Sequence, residues 1–458
     1  MPAPEHPTRH RFHRTRLASA QLLIIPLLCI CTQLAPRSAL AAPLTNKQTR
    51  LIQYVDAHKD DALKLLERVV NINSGTQNLE GVRAVGKVFQ AQLEALGFDT
   101  RWIDGAAFQR AGHLVATHAG SGPGILLIGH LDTVFAIDSP FQKFQRIDAH
   151  TARGPGVIDM KGGDVIIVQT LRALHAQGLL AGMNIRMVMN GDEERVGTPV
   201  SLARQALLDA ARKSTYAIAF EDGDGDPTTA VIARRGSSNW HLRVTGTPAH
   251  SSQIFRADIG AGAIYETARI LSGFYRELHG QANLTFNPGL VVGGTQARID
   301  PHTARGTAFG KSNVISGVSE VSGDLRTISI AQRERAKTRM QAVVALHLPH
   351  TMAKIKFSDH YPPLAPSDGN RKLLALLDST SRDLGFGPVS AVDPAKAGAA
   401  DVSFTAGLVP AAIDGLGLMG DGGHTVHETA DLRTLPMQSK RSAVLISRLL
   451  GDPATTSP

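Results

Sequence analysis

The sequence predicts an α/β protein in which a mostly parallel-sheet main domain is interrupted by an inserted ferredoxin-like α+β domain. Three observations carry this expectation. Strand-like and helix-like runs alternate between residues 113 and 221, the pattern of strands joined by crossover helices. At Val231 the alternation gives way to the order βαββαβ, one complete ferredoxin-like unit. The α/β patterning then resumes at "GNRKLLALLDSTSRDLGF", so the unit reads as an insertion. A chain of 458 residues is long enough for two or three cores. The boundaries fall at 1–41 for a leader, 42–232 and 353–458 for the two parts of the main domain, and 233–352 for the insertion.

Arg9, Arg11, Arg14 and Arg16 precede the apolar run "LLIIPLLCIC", and Ala39 and Ala41 supply an A-x-A cleavage signal. This reads as a secretory signal peptide cut near Ala41. The run is too short to span a membrane. A secreted or periplasmic protein with no stable membrane association after cleavage is expected. A lipid anchor at Cys31 is disfavoured by the bulky Ile30 before it. Cys29 and Cys31, the two cysteines, leave with the leader, which removes disulfides and thiolate metal ligands. Of 48 basic and 40 acidic residues the mature chain keeps 43 and 39, a net charge of +4 with no basic cluster. That excludes a nucleic-acid partner.

From Leu51 to Leu96 apolar residues recur three and four apart in two long runs, "LIQYVDAHKDDALKLLERVVNI" and "VGKVFQAQLEALGF", which predicts helices ended by Gly97. Strand candidates follow at "HLVATHAG", "GILLIGH", "NIRMVMNGDE" and "YAIAFE", with helices at Asp164–Gln177 and Pro199–Lys213 between them. In the insertion the strands are "SSNWHLRVTG", "LTFNPGLVVGG", "NVISGVSEVSGDLR" and "AKIKFSDHY", and the helices run from Ile259 to Leu278 and from Ala331 to His347.

Chemistry-bearing side chains collect where the main-domain strands end. "LLIGHLDTVF" closes an interior strand with His130 and Asp132, and "GPGVIDMKGG" puts Asp159 in a Gly-rich loop before a helix. "MNGDEERVG" ends a strand with Glu193 and Glu194, "YAIAFEDGDG" ends another with Glu221, and "GDGGHTVHETADL" sets His424 in a glycine-bracketed turn. In open α/β sheets ligands bind outside the carboxyl ends of the strands, so topology draws these groups together. Two histidines and three carboxylates suit a pair of hydrolytic Zn²⁺ ions, which need one bridging group. Of two adjacent glutamates, one can ligate while the other takes a proton from water. His130 reads as a ligand and Asp132 as the acceptor of its other ring N–H.

With these motifs in hand, the chain resembles the co-catalytic dizinc carboxypeptidases and deacylases of clan MH, in particular the secreted glutamate carboxypeptidase (carboxypeptidase G) branch. The resemblance covers nearly all of the mature chain and rests on "GHLDTV", "GPGVIDMKGG", "NGDEERVG" and "GGHTVHETADL". It implies His130 and Glu221 on one zinc, Glu194 and His424 on the other, Asp159 bridging, and Glu193 as general base. It implies two Zn²⁺ per subunit, with Co²⁺ or Mn²⁺ as substitutes, and a non-proline cis peptide after Asp159. "GTPAHSS", "KSNVIS" and "GDLRTIS" match segments of the inserted domain. The resemblance further implies that His250 reaches the partner subunit's active site to polarise the scissile carbonyl, that Asn313 and Arg326 bind substrate, and that the inserted domain makes a homodimer interface. The implied reaction is hydrolysis of the amide bond to a C-terminal amino acid, glutamate above all, in a small peptide or N-acyl amino acid.

Rival readings are an N-acyl-amino-acid deacylase or dipeptidase with the same metal residues, a silent scaffold on the same fold, and a periplasmic binding protein. The scaffold would be marked by a lost ligand or base, and none is lost. A binding protein has no need of five metal-type ligands at strand ends. Locally, Asp222 competes with Glu221 and His427 with His424 as ligand. "DGDGDP" resembles a calcium loop, but Pro227 stands where that loop needs glycine.

Overall fold

The structure is a computed structural model that describes residues 44–300 and 303–451, so the expected leader and its cleavage site lie outside the described residues. Among the described residues no helix is long and apolar enough to cross a membrane. In chain order the main strands are β1 (Asp99–Asp104), β2 (Gly112–His118), β3 (Ile125–His130), β4 (Ile185–Asn190) and β5 (Tyr216–Ala219). The insertion carries β6 (Gly236–Gly246), β7 (Thr285–Gly294), β8 (Val318–Thr327) and β9 (Thr351–Tyr361), and β10 (Ala411–Ile413) follows it.

The main sheet has the order β1-β2-β4-β3-β5-β10. β4, β3, β5 and β10 run parallel, and only β2 is reversed against its neighbours. This is the expected mostly parallel sheet. All six residues of β3 are buried, which is why it reads as a continuous apolar run. The register pairs His130 with Asn190, so β3 and β4 end level and their loops emerge side by side.

The first helical stretch divides into α1 (Asn46–Ala57) and α2 (Lys59–Val70) before α3 (Leu79–Glu94). The break comes at His58, whose ring Nδ1 bonds the Tyr54 carbonyl at 2.9 Å and closes the first helix. The next helix, α4 (Lys161–Ala176), starts three residues before the expected Asp164, directly after Asp159 and Met160. It is buried almost throughout, beneath the sheet and against the C-terminal helix Thr434–Gly451. Its "GG" pair is a requirement of approach. A Cβ on Gly163 would stand 2.0 Å from the Phe220 carbonyl oxygen, so only glycine lets the helix start come up to the end of β5.

The inserted sheet has the order β7-β8-β6-β9, antiparallel throughout, with helices Gly262–Leu278 and Ile330–Ala345 on one face. This is the expected ferredoxin-like unit, with its own core of Trp240, Leu242, Phe274, Leu325 and Met340. Its last strand runs to Tyr361, past the boundary expected at 352. An additional hairpin pairs Gln296–Asp300 with Arg305–Phe309 between β7 and β8. Every residue of its second strand is exposed, so no alternating apolar pattern announced it.

One buried group in α4 sets a pH dependence. Neither carboxylate oxygen of the fully buried Asp164 has a hydrogen-bond partner, and burial pushes its pKa well above the ordinary carboxylate value. The unfolded chain releases this proton as pH passes about 4, whereas the folded chain retains it, so Asp164 erodes stability as pH rises above that point. Asp164→Asn should therefore stabilise the protein more at pH 8 than at pH 4. Urea unfolding at the two values checks this; an equal effect at both would contradict it.

Candidate metal centre

His130 ends β3 fully buried, and its Nδ1 lies 3.0 Å from the main-chain carbonyl oxygen of Asp132. A carbonyl only accepts, so Nδ1 carries a proton, and Nε2 faces Asp159 Oδ1 at 3.0 Å and Glu221 Oε1 at 3.5 Å. The expected partner differs in one respect. The Asp132 carboxylate stands 3.6 Å from the ring and does not take its proton. It is occupied elsewhere, since Oδ1 accepts the Glu193 N–H at 2.9 Å while Oδ2 accepts the Glu194 N–H at 3.2 Å and the Thr76 hydroxyl at 2.6 Å. Asp132 thus holds the paired-glutamate loop of β4 against the end of β3.

The second oxygen of Asp159 faces the other way. Oδ2 lies 2.8 Å from His424 Nε2, which is also 3.1 Å from Glu194 Oε2. One carboxylate thus has a histidine and a glutamate on each side: His130 and Glu221 at Oδ1, His424 and Glu194 at Oδ2. Ligand-type atoms of His130, Asp159 and Glu194 all lie within 4.8 Å of one another. His424 takes a left-handed backbone at φ 64°, two residues after Gly422 at φ 76°. The small antiparallel pairing of Thr151–Arg153 with Thr429–Asp431 brings its turn beside the Asp159 loop. The Asp159–Met160 peptide is cis, as the resemblance implies.

The electrostatics are those of crowded acceptors that draw protons onto the two histidines. Burial alone would lower the His130 pKa, but Glu221, Asp132 and Asp159 raise it well above the ordinary value. Contacts with Asp159 and Glu194 push His424 up to about 11. Against the upward push of burial, the two histidines hold Asp159 below the usual carboxylate range. Burial raises Glu221 and, with Asp159, takes Glu194 up to about 7, and Glu194 Oε1 is buried without a hydrogen-bond partner. Two imidazoles and three carboxylates converging in this way fit divalent cations, which would replace the protons now separating these acceptors.

Glu193 belongs to neither set. Burial, followed by the charge of Asp401, pushes its carboxyl well up. Glu221 rather than Asp222 faces His130. His427 is exposed, and its side chain makes no hydrogen bond or ion pair with the cluster. Asp224 and Asp226 are used in local turns with Thr228 and Thr229. Three expected residues are not brought to the cluster within this chain. His250 is exposed and bonded to Ser252 at 2.8 Å, Asn313 is exposed beside it, and Arg326 donates through Nε to Asp324 at 2.9 Å. Beside Glu194 lies a groove of about 620 Å³, bordered by Thr76, Asn78, Val134, Ile137 and Arg195.

Glu428 belongs to the "GGHTVHETADL" motif, but its role was not read from the sequence. Its carboxylate accepts the main-chain N–H groups of Gly156 and Ile158, each at 2.9 Å, and of Asp159 at 3.2 Å, and so fixes the bridging loop. The available signal was its place four residues after His424, just before the strand Thr429–Asp431 that pairs with Thr151–Arg153.

The family profile described as "Peptidase family M20/M25/M40" matches residues 126–448. Carboxypeptidase G2 of Pseudomonas sp. (strain RS-16) is 25% identical over 448 residues, covering 96% of this chain and 99% of that one. The structure of aminopeptidase PepT from Bacillus cereus superposes with a TM-score of 0.65 at 17% identity, over 85% of this chain and 98% of that one. The Bacillus subtilis YXEP protein, described as a dinuclear metal-binding peptidase, gives 0.61 at 17% identity over 86% and 99%.

Glu428→Ala removes the acceptor of three main-chain N–H groups, each worth roughly 1–3 kcal/mol when stranded in a buried site. A stability loss on the order of 3 kcal/mol and weaker metal retention are expected by urea unfolding and metal analysis. Unchanged values in both would contradict the clamp.

Proposed function

The chain belongs to the peptidase family M20/M25/M40, and from that premise we propose that it is a dinuclear metal exopeptidase releasing a C-terminal amino acid, glutamate first, from small peptides or N-acyl amino acids. The observation that carries the reading is the division of one carboxylate between two His/Glu pairs, with Asp159 Oδ1 at 3.0 Å from His130 and Oδ2 at 2.8 Å from His424. His130 and Glu221 would hold one ion, Glu194 and His424 the other, and Asp159 both. The donor set suits zinc and accepts cobalt or manganese. Such a pair supplies Lewis acidity for a carbonyl and water that ionises near neutral pH.

The chain's own groups do the rest. Glu193 takes the proton of the attacking water and returns it to the leaving amine. Its backbone N–H, held by Asp132, fixes the carboxyl beside the cluster. Arg326 keeps its terminal nitrogens for a substrate carboxylate while Nε holds Asp324, and Asn313 assists. His250, exposed and remote from its own cluster in bonding, acts on the oxyanion in a second subunit, which makes the working unit a homodimer through the inserted domain. The acyl side of the substrate lies in the groove next to Glu194. Likeness to carboxypeptidase G2 over nearly both whole chains supports the glutamate preference. The leader read at 1–41 supports a secreted or periplasmic location.

Two experiments test this. Metal-loaded protein offered N-acyl and N-peptidyl amino acids should release glutamate ahead of aspartate, neutral and basic residues, and a chelator should abolish release. Preference for a neutral or basic residue would move the function to the deacylase or dipeptidase reading, and chelator-insensitive release would overturn the metal mechanism. Glu193→Gln should keep its metal while turnover falls about 10²- to 10⁴-fold; a near-normal rate would remove Glu193 from its role.

A further inference from the structure

The chain enters the inserted sheet at Gly236 and leaves it at Tyr361, and both arms of this neck are bonded into the loops that carry reactive carboxylates. The arms are tied to each other by paired main-chain bonds, Arg234 N–H to the Leu364 carbonyl at 2.9 Å and the reverse at 3.0 Å. On the entry arm, Arg234 Nη2 lies 2.7 Å from Asp414 Oδ2, and Asp414 Oδ1 accepts the Glu221 N–H at 3.1 Å. On the exit arm, the Tyr361 hydroxyl donates to the main-chain carbonyl of Glu193 at 2.8 Å and accepts from Arg204 Nη2 at 3.1 Å.

Arg204 makes the second bond firm. It is fully buried, with Nη1 2.5 Å from Asp192 Oδ1, Nη2 donating to the Asp192 carbonyl at 3.2 Å, and Nε 2.8 Å from Asp401 Oδ1. Asp401 Oδ2 in turn accepts from Asn190, the last residue of β4, at 2.6 Å. The Arg204 guanidinium therefore holds the chain up to Asp192, Asp132 holds the Glu193 and Glu194 N–H groups, and among the described residues the Glu193 carbonyl is restrained from the inserted domain, by Tyr361.

We propose that Tyr361 is a positioning residue for Glu193: its hydroxyl ties the main chain of the base to the neck, so that the base is in register only while the inserted domain holds its place. The inference rests on the reading of Glu193 as base. The Tyr361 ring has a separate structural duty, packing on Phe404 with centroids 5.2 Å apart and lying 5.9 Å from the Arg204 guanidinium carbon. Phenylalanine preserves that packing, so the hydroxyl can be removed alone.

In the metal-loaded full chain, Tyr361→Phe should lower kcat about 10- to 100-fold, the scale of a displacement of roughly 1 Å at a reacting group. KM should stay within about twofold and the metal content unchanged, while the thermal midpoint falls by no more than a few degrees, because the Glu193 carbonyl and Arg204 Nη2 each lose one partner. In a Glu193→Gln background the same substitution should change the residual rate less than about twofold, because there is no base left to position. An unaltered kcat, a loss of metal, an effect confined to KM, or an equal loss in both backgrounds would each overturn the proposal. Glu193→Gln measured alone reports on the base assignment, so failure of that reading is separately visible.

Discussion

The centre depends on one carboxylate having two oxygens that face opposite ways. Asp159 sits between His130 and His424, at 3.0 and 2.8 Å, and each histidine brings a glutamate with it. Five ligand groups in so small a volume carry three negative charges at strand ends, where burial penalises every one of them. Protons on the two histidines, whose pKa values these carboxylates raise, are a partial answer. Two divalent cations are a complete one, because each would satisfy the acceptors on its own side of Asp159.

That arrangement has to be held open against its own repulsion, and the fold does so with further carboxylates that bind main-chain N–H groups. Asp132 holds the Glu193–Glu194 loop, Glu428 holds the loop of Asp159, and Asp414 holds Glu221. Each is buried and each accepts main-chain N–H groups, which fixes a loop directly, while Asp132 and Asp414 are steadied in turn by the Thr76 hydroxyl and the Arg234 guanidinium. The same economy extends to the neck of the inserted domain, where Arg234 and Tyr361 reach these loops. The insertion is therefore bonded to the reactive edge of the main sheet as well as joined to it by the chain.

Much of this was legible in the residues. An apolar run such as Leu126–Ile128 ending in His130 marks a buried parallel strand that opens into a loop, and the register of β3 against β4 and β5 then brings its loop beside Glu194 and Glu221. The βαββαβ order was likewise readable, because its strands alternate and its helices keep their period. The clamps were not. Glu428 and Asp414 act on main-chain groups far away in sequence, and a bond to backbone leaves no residue-type signature at the other end. Asp132 shows the same limit in miniature. Its proximity to His130 was evident, yet which oxygen met the ring depended on the course of the chain and on two competing N–H groups.

The central claim is a pair of ions sharing Asp159, and the most direct measurement is the metal content of the purified full chain and of Asp159→Ala by elemental mass spectrometry after equilibration with zinc. The account predicts two ions per chain in the parent and loss of both in the variant. One ion in the parent, or one retained after the change, would contradict it.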